Sequence, residues 1–75
     1  MTDQPPIDDE ILIALFRWKH SSRDQAKTLT EYRDHAAIIA RLVEHGHLQH
    51  LGSGFFRITL QGQKAITDKY PELWD

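Results

Sequence analysis

The stretch Thr30–Gly46, TEYRDHAAIIARLVEHG, decides how the rest of the chain is read. At about 100° per residue around a helix axis, His35, Ile38, Ile39, Leu42 and Val43 share one side. Arg33, Ala36, Ala37, Ala40, Arg41 and Glu44 share the other. The pattern predicts one amphipathic helix. Thr30 can cap its first turn, because a hydroxyl there accepts from an otherwise unpaired N–H. Thr28 and Glu31 have capping-box spacing two residues earlier, which leaves the start open by about a turn. Gly46 suits the left-handed position past the helix end, and His45 favours the negative end of the dipole. A side made mostly of alanine and arginine lets another molecule come close to the helix.

Upstream, residues 1–7 read as a polar, proline-bearing disordered leader. Asp8 is a suitable N-cap for a first helix that runs to about His20. Asp9 and Glu10 suit its positive end, and Ile7 with Leu12 has hydrophobic-staple spacing. Its apolar residues, Ile11 to Phe16 and Trp18, sweep about 260° of arc. That is wider than one buried stripe. Either this chain wraps the helix with a C-terminal element, or a second protein covers the remainder. Ser22 and Gln25 again have capping-box spacing, and a short helix is expected over Arg23–Leu29 with Ala26 and Leu29 inward.

Downstream of Gly46 the apolar period changes from 3.6 to 2. His47–Leu51 and Phe55–Ile58 read as two short strands joined by Gly52-Ser53-Gly54, a loop able to take positive φ. Thr59 then caps a last helix, LQGQKAITDKY, which stops before Pro71. One domain over residues 8–70 follows, with 71–75 as a tail whose Leu73 and Trp74 need a surface to pack on.

The chain has 75 residues, 40% hydrophobic and 27% charged, which fits a small globular core rather than a disordered segment. It has no cysteine, so disulfides and cysteine-ligated metal sites are excluded. No apolar run approaches the roughly 20 residues of a membrane span, and the acidic N-terminus lacks the basic region of a signal peptide. A cytoplasmic location is expected. Net charge is −2, but it is unevenly spread. Between Arg17 and Lys64 stand eight Lys/Arg against four Asp/Glu, an excess of +4, while the remaining acids gather towards the ends. Such polarity can orient a small protein on a polyanion within about a Debye length of 8–10 Å. It equally describes solvated caps and termini.

Two junctions carry a family resemblance. Leu42-Val43-Glu44-His45-Gly46-His47-Leu48 resembles the turn from recognition helix to wing in the winged helix-turn-helix superfamily, in particular small MarR- and PadR-like regulators. Arg57-Ile58-Thr59-Leu60-Gln61-Gly62-Gln63-Lys64-Ala65-Ile66 resembles the same group's junction between wing and last helix. The likeness runs from about Asp8 to Tyr70. It implies an α+β winged helix-turn-helix fold: three helices, a two-stranded β-hairpin wing and a C-terminal helix.

In that superfamily the outward face of the third helix enters the major groove and the wing touches the backbone or minor groove. Carried across by position, the resemblance implies a double-stranded DNA surface of Thr30, Tyr32, Arg33, Ala36, Ala37, Ala40 and Arg41 on the helix. Arg23 and Lys27 would hold phosphates from the preceding helix, and Ser53 and Arg57, with His50 as a further candidate, would act from the wing. Transcription regulation as a homodimer on a short inverted repeat is the implied function. Ile13, Phe16, Leu73 and Trp74 are the candidate dimer surface, from the wide first-helix arc and the tail. Two features depart from the pattern. The helix has few cations, with Asp34 and Glu44 beside them, and the Gly-Ser-Gly wing tip carries no arginine. Phosphate contacts supply most non-specific affinity, so a monomer should bind duplex weakly.

The alternative is a winged-helix module that docks a protein partner through its small, nearly neutral alanine face and binds no DNA. Five histidines invite a metal reading, but residues 47 and 50 on a strand point to opposite sides. No metal, cofactor or catalytic constellation is expected, and Phe16, Trp18, Phe55 and Phe56 read as packing aromatics.

Overall fold

The computed structural model describes residues 5–21 and 26–74, the side chain of residue 74 excepted. Helix α1 spans Ile7–Ser21, followed by a short strand β1 (Lys27–Thr28), a 3-10 helix (Thr30–His35) and α2 (Ala36–Glu44). Strands β2 (Leu48–Gly52) and β3 (Phe55–Ile58) form a hairpin, α3 covers Leu60–Lys69, and Pro71–Trp74 is a second 3-10 turn. Among the described residues the fold is α+β, three α-helices on a three-stranded antiparallel sheet of order β1-β3-β2.

The wide apolar arc of α1 is closed by the chain itself. Ile11, Leu12, Leu15 and Phe16 are buried with Leu29, Ile39, Leu42, Leu48, Ile58 and Ile66, so α2, both hairpin strands and α3 contribute to the cover. Phe16, expected at a dimer surface, is 2% exposed and belongs to this core. Ile13 and Leu73 are half-buried and pack against the same core. The side chain of Trp74, the fourth residue expected there, lies outside the described residues.

Two expectations upstream of α2 are corrected. The helix foreseen over residues 23–29 is not what residues 26–29 form: Lys27 and Thr28 pair in register with Phe56 and Phe55. Residues 22–25, with their capping-box pair and Arg23, lie outside the described part. The physical reason is that β3 has a second edge to satisfy, and an extended Lys27–Thr28 fills it. The sheet therefore has three strands rather than two.

The single helix foreseen from Thr30 is also divided. Residues 30–35 wind as a 3-10 helix, with non-helical torsions at Tyr32, and α2 begins at Ala36. Leu29 is buried and Tyr32 and His35 half-buried, while Thr30, Glu31, Arg33 and Asp34 are exposed. Leu29, Tyr32 and His35 thus face inward at a spacing of three, and the non-helical torsions at Tyr32 and His35 divide the segment into short turns. From Ile38 onward the period returns to 3.6, with Ile39 and Leu42 buried. Neither foreseen cap forms: Leu29 precedes the turn with no side-chain bond, and Glu31 instead meets Lys27 at 2.7 Å.

The C-terminal half follows the sequence reading closely. Gly46 sits at φ +81°, and the His47 N–H bonds the Leu42 carbonyl at 2.9 Å, which turns the chain from α2 into β2. Gly52 pairs with Phe55, leaving Ser53 and Gly54 as a two-residue loop with φ of +54° and +78°. Two successive positive φ values are what a type I′ hairpin needs. Thr59 caps α3 by accepting from the Gly62 N–H. Helix α3 ends at Lys69 because Tyr70 precedes Pro71 and is held out of the helical region, at ψ 71°. Helix α1 starts one residue before the expected cap, so Asp8 lies in its first turn and Ile7 belongs to the helix rather than to the leader.

Candidate functional site

The outward side of α2 is open. Ala36, Ala37, Ala40 and Arg41 are exposed, as is Arg33 one turn earlier. Beside it, the helix and the hairpin enclose a groove of about 590 Å³. Thr28, Leu29, Thr30 and Arg33 line one end, Ala36, Ile39, Ala40 and Val43 the helix wall, and His50, Ser53, Gly54 and Phe56 the hairpin wall. The hairpin wall is built by strand alternation. Leu48 and Ile58 point to the core, and the next residues of the same parity, His50 and Phe56, face the groove across a register pair. Their rings stack at 4.7 Å between centroids and 21° between planes.

Of the residues carried over from the family resemblance, Thr30, Arg33, Ala36, Ala40 and Ser53 meet in this one groove. Others lie elsewhere. Tyr32 is half-buried against the core, because the three-residue period turns it inward. Lys27 donates to Glu31 at 2.7 Å and to the Thr28 carbonyl at 3.1 Å, and sits 5.7 Å over the Trp18 ring. Arg41 pairs with Asp8 at 2.6 Å and borders a second, smaller cleft with Asp9, His45, His47 and Lys69. Arg57 donates to Gln49 at 2.6 Å on the outer face of the hairpin. Ala37 is exposed on α2 without bordering the groove, and Arg23 lies outside the described residues.

The electrostatics of the surface follow from these pairings. Among the described residues, Arg33 is the groove's one arginine, has no ion pair and shares the lining with no carboxylate. Lys27 holds the Glu31 carboxyl below its usual range, chiefly through their hydrogen bond. Burial raises the Tyr32 hydroxyl, with the charges of Glu10 and Glu31 adding to it. The apolar floor of Leu29, Ile39, Val43 and Phe56 was not foreseen as part of a surface. The sequence signal was present: Phe56 and Val43 stand at the edge of their elements' apolar stripes, where a side chain belongs to the core and the surface at once.

On the opposite side, Asp9 is 6% exposed and is held by the Lys69 ammonium at 3.2 Å and the Tyr70 hydroxyl at 2.9 Å. This contact fastens the first turn of α1 to the end of α3. Among the described residues no three His, Asp or Glu side chains are grouped to hold a metal ion, and no helix is long and apolar enough to cross a membrane. Comparison with protein-family models, curated proteins and solved structures gives no match to this chain.

Proposed function

We propose that this chain is a winged-helix module that binds double-stranded DNA, with α2 as the groove-entering helix and the β2–β3 hairpin as the wing. The element order supports it: helix, short strand, a tight 3-10 segment, helix, hairpin, with β1 closing the sheet beside β3. In this reading the 3-10 segment takes the place of the middle helix. The observation that carries it is that the outward side of α2 and the hairpin tip border one groove, so both can meet one duplex. Small side chains at Ala36 and Ala40 allow close approach, and alanine methyls suit thymine methyls. Arg33 is the cation available for a base edge or phosphate.

Regulation of transcription from a short inverted repeat is the use that fits such a module, with a two-fold pair doubling the contacts and setting the half-site spacing. Ile13 and Leu73 remain the partly exposed residues for that pairing. The test is an amide-resolved NMR titration with a short mixed-sequence duplex at low salt. Shifts clustered on Arg33, Ala36–Arg41 and Ser53–Gly54 are expected. Shifts confined to α1 and α3 contradict the orientation, and no shift at low salt transfers the open face to a protein partner.

A further inference from the structure

We propose that the free edge of β2 is an interface, on which a second copy of this chain lays its own β2 antiparallel. The pairing uses neither Ile13 nor Leu73 and does not depend on duplex binding. Among the described residues the sheet runs β1-β3-β2, so β2 has β3 on one side and no strand on the other. The Thr59 N–H bonds the His47 carbonyl at 3.1 Å, and Gln49 pairs in register with Arg57. Bonded pairs alternate along an antiparallel ladder, so Leu48 and His50 turn their N–H and C=O groups to the free edge. Such an edge is a template for another strand unless charge, proline, shortness or a bulge protects it. The opposite edge, β1, is two residues long and carries Lys27. Strand β2 has five residues and no Asp, Glu, Lys, Arg or Pro. Its bulge falls between His50 and Gly52 and leaves Leu48–His50 in regular register.

The apolar surface fits a second copy of the same chain. Among the described residues the exposed large hydrophobic side chains are Leu51, Phe55 and Leu60, at 47%, 43% and 81%. Leu51 and Phe55 flank the hairpin tip, and Leu60 follows Thr59 at its base. A two-fold axis beside Gln49 lets Leu48 of each copy exchange backbone bonds with His50 of the other. It sets His47 of one copy opposite Leu51 of its partner copy, so each tip, with Leu51 and Phe55, comes beside the other's base and Leu60. Tip meets base twice, which is the self-complementarity a two-fold interface requires. Apolar groups that the fold leaves in water are covered together, and β2 opposes no fixed charges across the axis.

Sedimentation velocity on the full chain, from micromolar to millimolar concentration, should show a reversible monomer–dimer equilibrium. In a mixture of isotope-labelled and unlabelled protein, the α-protons of Gln49 in the two copies should be in contact, because a non-hydrogen-bonded antiparallel pair brings them closest. Amide exchange at Leu48 and His50 should slow as concentration rises. Leu60→Lys, at an exposed position, should weaken the dimer about tenfold and leave the helical circular dichroism unchanged. His50→Pro, which removes an edge N–H that β3 does not use, should abolish the dimer. A chain that stays monomeric at millimolar concentration leaves the edge to an extended segment of another protein and overturns the proposal. So does a dimer that lacks the Gln49 contact, or one that Leu60→Lys leaves as strong as before.

Discussion

The hydroxyl of Thr59 donates to the carbonyl of Gly46 at 2.6 Å and accepts from the Gly62 N–H at 3.0 Å. One side chain thus joins the end of α2 to the start of α3 and closes the base of the hairpin between them. Thr59→Ala removes a cap and a cross-link together, and is expected to cost about 1–2 kcal/mol. Thr59→Ser should recover most of it. Urea denaturation of the three proteins measures both differences.

Glycine is required at two positions for different reasons, and the variants should rank accordingly. A Cβ at Gly62 would overlap the His47 carbonyl and crowd Ile58, both fixed by the sheet and the core. At Gly46 the obstacle is φ of +81°, and the nearest atom is the end of the flexible Gln61 side chain at 3.2 Å. Gly46→Ala should lose about 1 kcal/mol. Gly62→Ala should lose more, about 1–3 kcal/mol or enough to prevent folding. Thermal unfolding monitored by circular dichroism checks the order.

Gly46 and Pro71 act through their own backbone and Thr59 through a hydroxyl that bonds nearby backbone, so the hairpin boundaries and α3 could be placed from them. Strand β1 could not, because two residues show no period and are extended only because β3 offers an edge. The 3-10 segment was hidden in the same way. The spacing of Leu29, Tyr32 and His35 is three throughout, yet beside Ile38, Ile39 and Leu42 it reads as the start of one α-helix. The open alanine side was legible, since helical phase alone separates Ala36 and Ala40 from Ile39. The pairing of Arg41 and Arg57 was not, because Asp8 and Gln49 are brought to those partners by tertiary packing and strand register.

Asp9 predicts an alkaline response at Tyr70. The hydrogen bond to Asp9 is the largest cause of that hydroxyl's raised pKa, followed by burial and by the charges of Asp9 and Glu72. A group whose folded pKa is raised stabilises fully below its unfolded value, near 10 for tyrosine, and that contribution is lost as pH rises through the folded value. Stability should therefore fall above about pH 10. In Asp9→Asn the Tyr70 titration should move back towards the ordinary value while Tyr32, raised mainly by its own burial, stays put. Phenolate absorbance against pH distinguishes the two rings.

At the acid end the sign reverses. Glu31 is held below its usual pKa by Lys27, so its contribution is present above about pH 4.5 and is lost as pH falls through the folded value. The pair is exposed, at 22% and 49% side-chain accessibility, so Glu31→Gln should change stability by less than about 1 kcal/mol. A larger loss, read from urea midpoints at neutral and acid pH, would mean that the 3-10 segment depends on this contact.

The proposed duplex surface joins α2 to the hairpin, with Arg33 as its principal cation. Fluorescence anisotropy of a labelled duplex across a salt series tests it most directly. Weak binding at low salt is expected, with a linear fall of log affinity with log salt and a slope shallower by about one contact for Arg33→Ala. Affinity that ignores salt, or an Arg33→Ala variant that binds and responds to salt as the parent does, would contradict it.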